Sequence, residues 1–400
     1  MSFFVMEKDM TYDVVVIGAG PAGLSFAKAL KGSGLKVLVI EQNQEQDIQS
    51  PAYDGREIAL THSSRTIMQA LGQWDTIDQQ NIGFIKEAKV SSGNAPLTLD
   101  FNSQDSGLDC LGFMVSNQNI RHACFAAVEP DEHVDFCFGQ SVQSVKTSDN
   151  MAQVTLSDEQ TLSTQLVVAA DSRFSQSRRQ MGISTDMVDF GRTCIVFTMT
   201  TEKPHNHVAH EMFRYDKTIA VLPLVDNQVS VVITIASDKA DDIIQAPALA
   251  LAAEISQSVD HQLGVMTVNS ELYSYPLVAT MASQYSAKRF ALIGDAAVGM
   301  HPVTAHGFNL GLSSAWQLAK GIKKARQDNQ PFYQDRVLRR YHHSHKRQSV
   351  PIYKGTNVVV KLFTKNQLWA KAARHAVLKV SKHVKPISQF ITKQLTQEQI

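Results

Sequence analysis

Disulfides, thiolate metal sites and membrane spans all lack raw material in this chain. It has only four cysteines in 400 residues (Cys110, Cys124, Cys137, Cys194), none in a CxxC pair. Reduced, mostly buried thiols are therefore expected, with no structural zinc and no disulfide framework. No stretch of 18 uncharged apolar residues occurs, so nothing has the length of a membrane-crossing helix. Glu7, Lys8, Asp9 and Asp13 break up the N-terminal segment, which does not read as a secretory leader. A cytoplasmic protein is expected, free or peripheral on the inner face of the cytoplasmic membrane. There is also no excess of either charge: Lys+Arg and Asp+Glu are both 38. That balance argues against nucleic-acid binding driven by phosphate contacts. Repeats and low-complexity segments are missing as well. What remains is an ordinary globular composition, 44% hydrophobic and 19% charged. A chain of this length suggests two packed domains or one large α/β unit.

The strongest local signal lies near the N-terminus, in "YDVVVIGAGPAGLSFAKALKGSGLKVLVIEQ". Val14 to Ile17 form a short apolar run, the mark of a central parallel strand covered on both faces. Gly18, Gly20 and Gly23 follow in G-x-G-x-x-G, with Ala22 inside the motif, and lead into a helical pattern. A second apolar run, Val37 to Ile40, ends in Glu41, 23 residues after Gly18. Gly18 permits the tight turn, Gly20 lets a pyrophosphate approach the backbone, and Gly23 lets helix and strand pack closely. The helix N-terminus offers N–H groups and a positive dipole end to phosphates. Glu41 is placed to accept hydrogen bonds from a ribose diol. The unit points to a dinucleotide but does not choose between NAD and FAD.

Two further apolar runs end on acids. "ALIGDAA" ends in Gly294-Asp295 and continues through the loop and helix "HPVTAHGFNLGLSSA"; "LVVAADSRFSQSRRQMG" carries Asp171, Ser175, Arg178 and Arg179. A carboxylate at the end of a buried strand is costly unless a ligand or N–H groups satisfy it.

Taken with the distant GxGxxG, these segments resemble the single-component FAD-dependent aromatic monooxygenases, the para-hydroxybenzoate-hydroxylase-like class. Within that class they resemble the ubiquinone-biosynthesis hydroxylases, including their demethoxyubiquinol hydroxylase branch. The likeness extends to "DGREIALTHSSRTIMQALGQW", "IAVLPL", "YPL" and "HPVTAHGFNLGL", in order along nearly the whole chain. The resemblance implies FAD as cofactor, with Asp295 on a ribityl hydroxyl and Arg56 approaching the flavin. It places Gly294, Pro302, Gly307, Asn309 and Leu310 in the flavin loop, with His306 as a candidate beside the ring and Gly307 and Gly311 permitting close backbone approach. Asp171 belongs to a motif associated with both FAD and NAD(P)H. Asn117 stands where many relatives carry Arg, and Arg121 follows one turn later; both are taken as cofactor contacts. The chain departs from the pattern at Ser172 (usually Gly), Val298 (usually His), Ala305-His306 in the loop, and Ser313-Ser314. The implied reaction reduces FAD with NAD(P)H and transfers oxygen from O2 to an aromatic ring through a flavin C4a-hydroperoxide. The implied substrate is a polyprenyl quinol or phenol. A small soluble phenol, or an accessory flavoprotein role in a ubiquinone-biosynthesis complex, remains an alternative.

The expected fold is α/β: a Rossmann-like FAD-binding domain over 1–184 and 285–345, with a β-rich substrate domain inserted at 185–284. Basic amphipathic C-terminal helices are expected over 346–400. Residues 351–400 hold nine Lys or Arg against one Glu, and apolar residues recur there at helical spacing. Two readings stand side by side: contact with an anionic membrane surface, or packing on the FAD domain with a solvated basic face. The histidines of "YHHSHKR" (His342, His343, His345) are expected on a solvated helix face, and no metal is assigned to them or to His205, His207 and His210.

Overall fold

The computed structural model describes residues 12–92, 98–214, 216–300 and 306–364. The N-terminal run forms the strand Val14–Ile17, which is fully embedded. It pairs in parallel with Val37–Glu41 on one side and Leu166–Ala169 on the other. The sheet continues to Val134–Phe138 beyond the first neighbour and to Phe290–Leu292 beyond the second, again in parallel, and ends on the short antiparallel strand Ser286–Ala287. Strand order thus reverses direction at Val14–Ile17, the kind of point where open parallel sheets bind ligands at their carboxyl ends.

The helix Pro21–Ala29 starts at once, with proline in its first turn and Gly20 at its N-cap. It packs on the long helix His306–Gln327 where small residues let backbones meet. A Cβ on Gly311 would lie 3.3 Å from the Gly294 Cα, and one on Gly294 would lie 2.9 Å from the Ala22 Cβ. Gly311 is thus tight against the Gly294 turn.

The second large sheet has the order Val298–Gly299, Tyr273–Ala282, Thr185–Thr201, Gln228–Ala236, Thr218–Pro223, Val208–Phe213, Glu87–Ser92, Thr98–Asn102. Thr218–Pro223 and Gln228–Ala236 form a hairpin, with Asp226 of the turn in the left-handed region (φ 52°). The sheet is not confined to the inserted segment 185–284: Glu87–Ser92 adds to it in parallel beside Val208–Phe213. Period-2 alternation sorts its side chains. Phe197, Met212, Ile219, Val221, Val231 and Ile233 form an outer core under the helix Ala248–Ser258. Val196, Ala209, Ala220 and Val232 lie on the opposite, inner face. Part of that face packs against Met114 and Ile85 of the small sheet Glu57–Leu60, Gly112–Ser116, Gly83–Ile85.

The helix Asp335–Thr364 runs without interruption through 346, where a separate C-terminal segment was expected to begin. The tail beyond 364 lies outside the described residues. The expectation of a solvated histidine face is corrected. His345 is buried and stacks on Tyr341 (ring centroids 5.9 Å apart, 6° between planes), and His342 Nδ1 accepts from the Tyr285 amide at 3.0 Å. His343 is exposed. Loss of water pushes both His342 and His345 down to about 4. The four cysteines are free thiols, and only Cys137 is not buried. Among the described residues no helix is long and apolar enough to cross a membrane.

Candidate functional site

Strand order alone collects the predicted residues. Reading across adjacent parallel strands, the carboxyl ends present Asp295, Asp171, the Gly18–Gly23 turn and Glu41 in one row. Gly18 has φ +105°, and a Cβ there would meet the Ala170 carbonyl at 2.7 Å. At Gly23 a Cβ would fall 2.1 Å from the Gly18 carbonyl oxygen. Both glycines are demanded by the protein itself. Gly20 differs: its Cβ would meet nothing within 4 Å. This open side, above the first turn of a helix, is a cradle that the protein leaves free and an anion suits.

Glu41 closes one end of the row. Its carboxylate accepts the Ala19 amide at 2.8 Å and both the amide and side chain of Asn43 at 3.0 and 2.8 Å. These bonds give a buried carboxylate its partners beside the turn.

At the other end, the loops that carry Asp171 and Asp295 are fastened to each other. Asp171 accepts Ser175 Oγ at 2.5 Å and the Ser177 amide at 3.1 Å, organising the turn before the helix Gln176–Gln180. Ser172 takes the left-handed backbone (φ 72°) that a glycine would adopt without strain. Arg178 is buried and donates to the Ala296 carbonyl at 2.8 Å and the Arg173 carbonyl at 3.0 Å, tying the two loops together. Arg173, not singled out from sequence, donates to the Val278 carbonyl at 3.0 Å and pairs with Asp295 at 3.2 Å. The Asp295 side chain remains about one-third exposed, so it has room for a further partner.

Arg56 sits on a separate hub. Asp54 accepts Arg56 Nε at 3.0 Å and Asn117 Nδ2 at 2.8 Å, and the Asn117 amide donates to the Arg56 carbonyl at 2.8 Å. Tyr275 of the large sheet donates to the Asp54 carbonyl at 2.6 Å, and its ring centroid lies 5.4 Å from the Arg56 guanidinium. Burial tends to raise the Asp54 pKa, but Arg56 and Asn117 together hold it below its ordinary value. Burial likewise opposes the charge on Arg56, but Asp54 chiefly, and Asp295 to a smaller extent, raise its pKa. Gly55 has φ +74° and no space for a Cβ, which would strike the Tyr273 ring at 2.4 Å. The 51–56 loop therefore lies flat on the inner face of the large sheet.

Some predicted cofactor residues have their side chains engaged elsewhere. Asn309 Oδ1 accepts the Thr61 amide at 3.0 Å and Ser64 Oγ at 2.6 Å, while its Nδ2 donates to the Ala59 carbonyl at 2.9 Å. Leu310 is in the main core. Both side chains are engaged within the protein, and the N–H groups without helical partners are those of the helix's first turn, ahead of Asn309. Gly307 has open space at its Cβ position, and His306 is buried in the same turn. Arg121 lies at the surface, with a long 3.4 Å contact to the Asp47 carbonyl. Pro302 lies outside the described residues. Ser314, at a departure from the expected pattern, accepts the Gly294 amide at 2.9 Å and donates to the Gly311 carbonyl at 2.6 Å.

The arrangement fits FAD: a free phosphate cradle, an acid beside it, and a second, partly open acid further along the same row. Comparison with known proteins agrees. The family model "FAD binding domain" matches residues 11–350. The chain is 47% identical to the ubiquinone hydroxylase UbiM of Neisseria meningitidis, over 96% of this chain and 84% of that protein. It is 31% identical to the ubiquinone hydroxylase UbiL of Rhodospirillum rubrum, over 79% and 73%. The 3-demethoxyubiquinol 3-hydroxylase of Escherichia coli is 26% identical, over 82% and 84%. Among solved structures, p-nitrophenol 4-monooxygenase PnpA of Pseudomonas putida superposes with a TM-score of 0.76 at 16% identity, covering 97% of this chain and 99% of that one, a likeness of fold. On the family match and the UbiM identity together, the chain belongs to the FAD-binding hydroxylase family of ubiquinone biosynthesis.

Proposed function

We propose that this enzyme hydroxylates the aromatic ring of a polyprenylated ubiquinone precursor, with demethoxyubiquinol-type intermediates as the substrate class, NAD(P)H as electron donor and O2 as oxidant. The observation that carries the reading is the row of Gly20, Glu41, Asp171 and Asp295 along four adjacent strand ends. When bound, FAD supplies the redox and oxygen-transfer chemistry. The protein's part is to bind and orient. The Gly20 turn and helix N-terminus hold the phosphates, Glu41 the adenosine ribose, and Asp295 the ribityl chain. The first turn of the helix His306–Gln327 places N–H groups and a positive dipole end where negative charge gathers. Arg56, neutralised by Asp54, closes the gap between cofactor loop and sheet and helps exclude water. The basic segment 351–400 suits either contact with an anionic membrane surface, where a polyprenyl substrate resides, or packing on the FAD domain with a solvated basic face.

The test is complementation of a strain lacking a ring hydroxylase, with the quinone intermediates identified by mass spectrometry. Restored ubiquinone and loss of the intermediate one hydroxyl short are expected. Persistence of every such intermediate, with yellow protein present in the cells, overturns the reading.

A further inference from the structure

One carboxyl in the sheet has no role in anything described so far. Glu211 lies on the strand Val208–Phe213, two residues from Ala209, and so shares its inner face. Its cross-strand partners are Val90 on one side and Ala220 on the other. The row continues through Val232 and Val196 to Tyr273. That last pair is the one on which Gly55 and the cofactor loop rest. The row is thus an apolar floor running from the cofactor loop to a single acid. From Val232 to Glu211 is two strand spacings, roughly 10 Å, about the span of a substituted aromatic ring.

Among the described residues no base pairs with Glu211 and no donor is directed at it. Burial alone pushes its pKa up to about 8. It is half-buried, with part of its surface accessible. The neighbouring Cys194 thiol is itself pushed up to about 12, mainly by burial. A lone carboxyl on an apolar face costs stability unless something pairs with it. An unpaired, half-buried carboxyl in the same cross-strand row as the cofactor loop's resting place is a ligand-binding group in waiting.

We propose that Glu211 determines substrate specificity by hydrogen-bonding the ring hydroxyl of a phenolic substrate laid across Ala220 and Val232. This rests on the function proposed above and names a residue of that site. A carboxyl can both donate to and accept from a phenol, and a site built to pair with a hydroxyl rejects the analogue that lacks it.

The experiment measures binding of an ortho-prenylated phenol and of its O-methyl ether by equilibrium dialysis against the FAD-loaded protein, without turnover. Wild type is expected to prefer the phenol at least tenfold, and Glu211→Gln, which keeps a donor and an acceptor, to retain that preference within about threefold. Glu211→Leu should reduce it to less than twofold while keeping flavin content and affinity for the ether. A wild type that does not discriminate, or that binds neither compound, overturns the proposal. So does a Leu variant that still discriminates. If the Leu variant does not fold, the wild-type ratio decides, together with Glu211→Met. An FAD-loaded wild type that does not discriminate, or an FAD-loaded Leu variant that still does, refutes only Glu211's role, whereas a wild-type chain that cannot be loaded with FAD refutes the proposed function itself.

Discussion

Gly20→Ala separates the cofactor's requirements from the fold's. The backbone at Gly20 (φ −72°, ψ 171°) is open to any residue, and the added methyl would meet no protein atom within 4 Å. The folding cost is then that of alanine at a helix N-cap in place of glycine, roughly 0.5–1 kcal/mol. Binding should suffer far more. A methyl group standing in the cradle displaces a phosphate by roughly a bond length, about 1.5 Å. Each charge-assisted N–H bond lost is worth about 1.5–3 kcal/mol, or roughly 10- to 150-fold in dissociation constant. With two such bonds weakened, FAD affinity should fall at least about 100-fold. Gly23→Ala is the contrast: its Cβ would sit 2.1 Å from the Gly18 carbonyl, so helix and strand must separate and the apoprotein itself should melt early. The assay pairs thermal melts of apoprotein with FAD titration followed by flavin fluorescence. If Gly20→Ala binds FAD within threefold of wild type, the open cradle is not the phosphate site and the reasoning fails.

Asp295→Ala should weaken FAD by about one to two decades and leave the melting temperature within a few degrees, because its ion pair with Arg173 is partly solvated; His343→Ala, at an exposed position, is the control, and equal flavin retention by both variants would remove Asp295 from the site. His345 binds its proton far less readily folded than unfolded, about 4 against 6.5. Its contribution to stability is complete above about pH 6.5 and is lost as pH falls toward 4, up to roughly 3 kcal/mol. His345→Phe, which keeps a ring against Tyr341, should flatten that acid limb in denaturant melts at pH 7.5 and pH 5, and an unchanged limb would show that His345 is not held neutral.

Much of the cofactor side was legible in the sequence because its logic is local. Gly18, Gly20, Gly23 and Glu41 belong to one strand–turn–helix–strand unit, and steric demands within that unit fix which residue types can stand there. Asp171 and Asp295 were legible as acids ending apolar runs. Their meeting was not, since it depends on parallel pairing of Leu166–Ala169 with Val14–Ile17 and Phe290–Leu292. Asn309 shows the limit of reading a motif residue as a ligand: its amide holds Thr61 and Ser64, partners that only the tertiary fold supplies. The histidine helix was misread because residue polarity outweighed spacing. Leu338, Tyr341, His345 and Ser349 recur at three- and four-residue intervals and are all buried. That helical stripe was present in the sequence, with a histidine on it.

Glu211 fails for the complementary reason. In an alternating strand a lone carboxylate reads as the water-facing position, because charged residues are almost never buried without a partner. Here the outer face of the strand is the one covered by helix, with Met212 in the core beneath Ala248–Ser258. The inner face turns toward the loop that carries Gly55 and Arg56. Alternation reveals that the two faces differ, but not which one meets a ligand. A sheet whose polar face encloses a cleft has the pattern of one whose polar face meets solvent, and only the packing of Gly55 on Val196 and Tyr273 distinguishes them. Residues that recognise a substrate on such a floor are therefore hidden from pattern reading for the same reason that they are useful. They are polar where the fold alone would prefer an apolar side chain, and the ligand supplies the missing partner.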